Sequence, residues 1–299
     1  MKDLQEVCDM NAFIVTETSS NIRLLARQNL KGHWKPAVLT ILIYMVCVLV
    51  PTIIIMALFG GFSEEALMSD ELMAPGEGLS TVYSILVSGA FTFGLTVFFL
   101  DLVREKKTDV GSVFSGFGYY FKTLGLYVVR SVFILLWMLL LIVPGIIAAF
   151  RYSQAFYILA DDPSKGIMQC LRESSNMMKG NKAKYFCMEL SFIGWYLVIY
   201  AIMVIPSLLA VSSMIMLPGD VMTVIAFVLL GAGIIAGFVA ALFVMAYVLS
   251  ATTVFYEMAN GNLRPAEAVI PSLAQQDNEV SGLEMKVDDK TYYDDKIEF

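Results

Sequence analysis

The chain has 299 residues and a net charge of -7; 58% of its residues are hydrophobic and 16% are charged. The apolar excess lies in long uncharged blocks, which excludes an ordinary soluble domain and indicates membrane-spanning helices. Nine acids and three lysines lie from Glu267 onward, so the rest of the chain is nearly neutral and offers no basic surface to a nucleic acid.

The start of the chain predicts a flexible segment followed by a helix. Residues 1–18 show no helical periodicity. Residues 20–31 place apolar side chains on one side of a helix and basic side chains on the other, which predicts an amphipathic helix on the inner membrane face. Two more interfacial helices are predicted over about 111–121 and 163–179, so that each of the three precedes a membrane span.

Six membrane spans follow from the apolar blocks. They are predicted over about 37–59, 79–103, 124–143, 145–160, 185–209 and 221–248. The region from 124 to 160 is too long for one crossing of roughly 20 residues, and the turn dipeptide Pro144-Gly145 divides it. We interpret it as a tight hairpin, with a single tilted span and a re-entrant arm as the alternative.

Charge counting favours the hairpin. If the chain crosses twice there, none of the 20 Lys and Arg residues falls in an outer loop, and both termini are cytoplasmic. The predicted fold class is therefore all-α: a polytopic helical membrane protein over residues 19–260, with six spans in three hairpins and cytoplasmic interfacial helices. Residues 265–299 are polar, acidic and aperiodic, which predicts a disordered cytoplasmic tail.

Charged residues inside predicted spans are the first candidates for a site. Arg151 lies roughly 15 Å from the Asp161 end of its span if the helix is continuous. A charge at that depth needs a partner, so Arg151 is either a structural arginine paired with a carboxylate or carbonyls, or a ligand for a substrate or lipid phosphate. Gln154 shares its helix face. Arg130 and Glu189 can pair across helices, Glu189 can reach Arg151, and Arg130 alone can snorkel inward.

Other motifs give weaker predictions. Asp161 and Asp162 suit a helix cap; a metal site there lacks a third carboxylate nearby in the sequence. Gly233 and Gly237 form a GxxxG pair, which indicates close packing within the molecule first and dimerisation second.

Catalytic and cofactor motifs are missing from the sequence. It contains no GK[ST] phosphate loop, GxSxG, CxxC or HExxH, and its four cysteines are scattered around a single histidine. We therefore predict no cofactor, no metal and no enzymatic activity.

Several segments resemble a known family. They are LARQNLKGHWKPAV, PGIIAAFRYSQAFYILADDP, ESSNMMKG, LSFIGW and YVLSATTVFYE. Together they resemble a bacterial family of uncharacterised integral membrane proteins over most of residues 20–260; one departure is Ala246, where the family usually has proline. More distantly, the chain is similar to the membrane domain fused to some glycerophosphodiester phosphodiesterases, at Pro144, Gly145, Arg151, Ser153, Ser174 and Gly180. The resemblance implies the multi-pass topology and a cytoplasmic-membrane location, and supplies no activity.

Function is predicted only in outline. The best-supported hypothesis is a non-enzymatic scaffold or accessory protein of a bacterial cell membrane, which binds membrane lipids and a protein partner or a second copy of itself. The alternative is a small transporter or exporter component with a polar path near Arg151. A membrane-embedded lipid enzyme would need carboxylates or hydroxyls that converge near Asp161 and Asp162.

Overall fold

The computed structural model describes residues 13–59, 75–104, 108–216 and 220–263. Within these ranges the chain forms ten α-helices and one 3-10 helix, with no strand. In chain order they are α1 (Ser19–Leu30), α2 (Trp34–Leu58), α3 (Pro75–Val103), the 3-10 helix (Val110–Tyr119), α4 (Tyr120–Leu140), α5 (Ile142–Arg151), α6 (Ala155–Asp161), α7 (Ile167–Met177), α8 (Lys182–Leu190), α9 (Ile193–Met216) and α10 (Asp220–Ala259). The predicted tail over 265–299 lies outside the described residues.

The all-helical class is confirmed, as is the number of long apolar segments. Six helical segments are long and apolar enough to cross a membrane: Trp34–Leu58, Gly76–Val103, Val110–Leu140, Ile142–Asp161, Lys182–Ala210 and Thr223–Ala259. A short helix stands at the start of each of three repeats: α1 precedes Trp34–Leu58, the 3-10 helix begins Val110–Leu140, and α7 precedes Lys182–Ala210. Within each repeat the two long segments pack on each other: α2 on α3, α4 on α5 and α9 on α10.

Buried residues concentrate at one end of the long helices, which we call the packed end. In α3 most of them run from Gly89 to Val103, and in α10 most of them run from Leu242 to Ala259. In α2 the buried residues are Ala37, Thr40 and Ile41, which also lie near one end of the helix. Beyond the packed end the three helix pairs continue as what we call the arms. They are α2 after Ile41 with α3 before Gly89, the tip where α4 meets α5, and α9 with α10 before Leu242. Their apolar side chains are largely exposed.

Helix α10 carries much of the packed end. Its 40 residues give a length of about 60 Å at the α-helical rise. Helix α1 packs across it, with Ile22, Ala26 and Leu30 fully buried. The predicted apolar face of this helix therefore contacts protein and not lipid, because α10 supplies an apolar partner that the local sequence does not reveal.

Residues 13–18 are held in place, although a flexible segment was predicted over 1–18; residues 1–12 lie outside the described residues. Val15 is buried, and its N–H donates to Asn181 Oδ1 at 2.9 Å. Asn181 Nδ2 donates to the Phe13 carbonyl at 2.9 Å, and the Phe13 N–H donates to the Ala259 carbonyl at 3.3 Å. Asn181, which is itself buried, thus satisfies two backbone groups of the extended chain, a long-range contact that leaves no periodic signal.

The chain turns at Leu141, three residues before the predicted turn at Pro144 and Gly145. Leu141 is extended (φ -163°, ψ 149°) between α4 and α5. Pro144 instead lies in the first turn of α5, where its missing N–H leaves no helical bond unmade. Gly145 lets α5 approach Met138 of α4, where a Cβ would overlap both the side chain and Cα. The turn dipeptide is therefore used for helix initiation and close packing.

The fourth predicted span is also not one helix. It divides into α5 and α6, separated by residues 152–154. The ring centroids of Phe133 and Tyr152 lie 6.0 Å apart, and the Arg130 guanidinium carbon lies 6.0 Å from the ring centroid of Phe156. Both α5 and α6 contact α4, so the two helices run back along it.

Candidate functional site

Three helices meet at the packed end through one arginine. Arg104 follows the last residue of α3, Asp161 ends α6, and Glu257 lies in the last turn of α10. Arg104 Nη1 lies 2.7 Å from Asp161 Oδ1, and Arg104 Nη2 lies 2.6 Å from Glu257 Oε1. Arg104 Nε also donates to Glu257 Oε1 at 2.8 Å. We call this set, with Tyr256, the Arg104 cluster.

The remaining oxygens of both carboxylates are also occupied. The Tyr256 hydroxyl donates to Asp161 Oδ2 at 2.5 Å, and Asn262 Nδ2 donates to Glu257 Oε2 at 2.7 Å. The side chain of Glu257 is only 3% exposed, against 26% for Arg104 and 22% for Asp161. Because every carboxylate oxygen accepts a hydrogen bond, the cluster is suited to clamping three helices and not to abstracting a proton.

The charge on Arg104 is secured by its partners. Burial disfavours that charge, but hydrogen bonds to Asp161 and Glu257 outweigh burial and raise the pKa of the guanidinium above its ordinary value. None of Arg104, Tyr256 and Glu257 is a predicted site residue. The sequence does show a basic residue just after one span and an acid in the last turn of another. These two residues indicate a cluster only when the structure shows that the helix ends meet.

Asp161 and Asp162 serve different partners, although they are adjacent. Asp162 Oδ1 accepts from the Ser164 hydroxyl at 2.5 Å and from the Ser164 N–H at 3.0 Å. These two hydrogen bonds lower the pKa of Asp162 below its usual value. Asp162 therefore caps the turn before α7, which begins at Ile167, four residues later than the predicted interfacial helix. Among the described residues no group of three or more His, Cys, Asp or Glu side chains is placed to hold a metal ion.

Arg151 lies at the end of α5 and contacts α7. Its Nε donates to Ser175 Oγ at 2.6 Å, and its carbonyl accepts from Ser174 Oγ at 2.9 Å. Ser174 Oγ also accepts the Gln154 N–H at 3.2 Å, so it bridges the break between α5 and α6. The depth predicted from a continuous helix does not apply, because the helix ends at Arg151. Among the described residues its side-chain partner is a hydroxyl, and the predicted alternatives of a carboxylate, carbonyls or a bound phosphate stay open beyond them.

Gln154 brings an unusual acceptor into the same region. Its side chain is fully buried, and Nε2 donates to Ser153 Oγ at 2.9 Å. Ser153 Oγ donates in turn to the Phe150 carbonyl at 2.9 Å, which fixes the orientation of the amide. Gln154 Oε1 then has no hydrogen-bond partner in the part of the chain that the structure describes. An unpaired buried acceptor costs about 1–3 kcal/mol, so this oxygen is a candidate contact for a bound donor.

Arg130 and Glu189 do not form the predicted ion pairs. Across residues 13–59, 75–104, 108–216 and 220–263, no carboxylate lies within 4.0 Å of Arg130 or Arg151, and no basic nitrogen lies within that distance of Glu189. Arg130 faces the ring of Phe156, and its Nε is buried without a partner among these residues. Glu189 instead lies beside Tyr185, one turn earlier on its own helix.

Gly233 and Gly237 face α9. A Cβ on Gly233 would approach Pro206, and one on Gly237 would overlap Met203. The GxxxG pair therefore lets α9 and α10 pack closely within one molecule. A role in dimerisation stays a prediction.

Comparison with known proteins places the chain in a family. The family described as "Protein of unknown function (DUF975)" matches residues 10–149 and 138–262. The chain belongs to this family. The DUF975 match includes the Arg104 cluster, Arg151 and the arms. No match was found among curated proteins or among solved structures.

Proposed function

We propose that this DUF975 protein is a multi-pass protein of a bacterial cytoplasmic membrane. It acts as a non-enzymatic scaffold or accessory factor that binds lipid and a membrane-protein partner through its arms. The observation that carries the proposal is the division between a packed end clamped by the Arg104 cluster and arms with unpartnered apolar surfaces.

The arms require an apolar environment. Leu139, Leu140 and Ile142 at one tip are 75%, 67% and 73% exposed, and Leu58 on α2 is 75% exposed. Apolar surface in water costs about 25 cal/mol per Å², a cost that vanishes against acyl chains. Helix α9 contacts mainly α10, so most of its side chains, such as Leu197 and Leu208, are left for lipid or a partner.

The packed end supports an orientation with both termini cytoplasmic. The N–H of Phe13 bonds to the carbonyl of Ala259, so the two ends of the membrane region lie on one side. The basic residues of α1 and α7 are at this end, and the tip at Leu141 carries none. Under the positive-inside rule the packed end faces the cytoplasm, and the six long segments form three hairpins.

Cysteine labelling tests this topology. In a background without the native cysteines, Ile142→Cys is expected to react with a membrane-impermeant maleimide in intact cells, because Ile142 lies at an exposed tip. Lys179→Cys, at an exposed position two residues after the end of α7, is expected to react only after permeabilisation. The reverse pattern, or equal labelling at both positions, would contradict the orientation.

Photocrosslinking tests the scaffold function. A photoreactive amino acid at Leu197 or Val228, which are 62% and 64% exposed on the arms, is expected to give a discrete adduct with one membrane protein or lipid in native membranes. The matched control is Phe98, which is fully buried in α3 and is expected to give no intermolecular adduct. If the probe on the arms gives no discrete adduct although the protein is folded, the scaffold function is refuted.

A transporter component is the second candidate, and one observation favours it. The break at 152–154 brings Arg151 together with the unpaired Gln154 Oε1, and broken helices in membranes are tolerated where they line cavities. This function requires water near Ser153, so Ser153→Cys would react with the impermeant reagent. A scaffold with a dry packed end predicts no reaction there.

A further inference from the structure

Helix α1 carries a row of basic side chains along the border of its buried face. Arg23, Arg27 and Lys31 are spaced by four residues, so they lie along one side of the helix and its C-terminal cap. The neighbouring side of the helix, with Ile22, Ala26 and Leu30, is fully buried. The orientation of the basic row is therefore fixed by packing.

Tyr247 of α10 positions the two arginines. Its hydroxyl donates to the Arg23 carbonyl at 3.1 Å, and its ring centroid lies 5.7 Å from the Arg27 guanidinium carbon. Fully buried Phe192 packs edge-on against the same ring at 5.0 Å. A cation held over an aromatic face has less freedom than a surface side chain, so this part of the row is preorganised.

The charge of the row is not neutralised by a carboxylate among the described residues. Arg23 Nη1 donates to the Ser191 carbonyl at 3.2 Å, between α8 and α9, while its Nε is buried and has no partner in the described ranges. No described Asp or Glu forms an ion pair with Arg23, Arg27 or Lys31. An arginine fixed by one carbonyl and left with unused N–H groups is suited to an anionic acceptor.

The row lies at the level where the lipid-facing surfaces begin. Trp34 is the first residue of α2 and packs on Phe243 at 5.7 Å, and Trp is typical of the membrane–water interface. Ile193 begins α9 and is 52% exposed. Leu24, next to Arg23, is 54% exposed. Basic, aromatic and exposed apolar side chains thus occur together, as at an interfacial anchor.

We propose that Arg23, Arg27 and Lys31, with Tyr247 supporting the Arg27 guanidinium, form a binding site for the phosphate groups of anionic phospholipids in the inner leaflet. The site rests on the topology proposed above but not on any partner of the arms. Its ligand is a lipid because exposed apolar side chains flank it, and the overall acidic chain disfavours a nucleic acid. In the basic segment at residues 179–184, Lys184 Nζ donates to the Thr16 carbonyl at 3.4 Å, but no lysine lies over an aromatic ring of the described chain, so this segment serves as a control.

The experiment measures lipid preference for the full chain in nanodiscs of mixed phosphatidylglycerol and phosphatidylcholine. Spin-labelled lipid of each type reports its association with the protein surface. We expect a preference for phosphatidylglycerol that falls by about fivefold or more in the variant Arg23→Gln, Arg27→Gln, Lys31→Gln, and that weakens in high salt. The control variant Lys179→Gln, Lys182→Gln, Lys184→Gln removes the same charge and is expected to keep most of the preference.

Two further variants separate lipid binding from folding. Arg27→Gln alters one exposed side chain, and Tyr247→Leu removes the ring beneath it; both are expected to lower the preference while the protein stays folded. An unchanged preference in the triple variant, or an equal loss in the control variant, overturns the site. Failure to incorporate into nanodiscs would instead refute the membrane topology.

Discussion

Gly94→Ala is expected to destabilise the protein by about 3 kcal/mol or more, the upper end of the range for overpacking. A Cβ on Gly94 would overlap the carbonyl group of Val113, where α3 crosses the 3-10 helix. Gly116→Ala is expected to act similarly, since its Cβ would overlap the Ala90 carbonyl from the other side of the crossing. Backbone atoms cannot swing aside as a flexible side chain can, so the two elements must separate. Thermal unfolding in detergent measures the loss.

The 3-10 helix also supplies the control for this prediction. Gly118 is two residues from Gly116, yet a Cβ there meets no atom within 4 Å. Gly118→Ala is therefore expected to leave the unfolding temperature nearly unchanged. If Gly94→Ala and Gly118→Ala unfold at the same temperature as the parent protein, the close crossing is refuted.

Arg104→Met is expected to cost about 3–5 kcal/mol, the usual loss when one partner of a buried ion pair is removed. The substitution leaves Glu257, whose side chain is only 3% exposed, with its charge uncompensated inside the packed end. It also removes a hydrogen-bonded link between α3 and the ends of α6 and α10. The measurement is again thermal unfolding, with recovery of folded protein after extraction as a second readout.

A second substitution distinguishes lost charge balance from lost packing. Glu257→Gln in the Arg104→Met background is expected to recover part of the stability, because it removes the unpaired carboxylate. Asp162→Asn is the matched control, since Asp162 bonds to Ser164 in its own turn and lies outside the Arg104 cluster. If the Arg104→Met variant unfolds at the same temperature as the parent protein, the Arg104 cluster does not clamp the helices.

The fold was predicted well wherever a local pattern decides the structure. Long apolar blocks predicted the six segments, and the periodicity of residues 20–31 predicted helix α1. Gly233 and Gly237 lie against α9, as small residues at a helix interface should. These features depend on neighbours in the sequence or on the composition of one helix.

Features that depend on distant parts of the chain escaped prediction. The chain turns at Leu141 and not at the predicted Pro144, because a proline is equally suited to the first turn of a helix. Arg151 finds Ser175 only because the helix breaks after it, and Arg104 finds Glu257 across 153 residues. Single charges predict that a partner exists, but its identity depends on which helix ends meet.

The packing of α1 against α10 has a consequence for biogenesis. The Tyr247 hydroxyl and the Arg23 carbonyl that it contacts are 224 positions apart, as are Ser250 and Ala26. Helix α1 therefore lacks its main docking surface, α10, until that helix has been made, because its contacts with α3 and α8 are smaller. During synthesis its apolar face must rest on the bilayer or on a chaperone, and then exchange that contact for α10. Completion of the final helix is thus the event that closes the molecule.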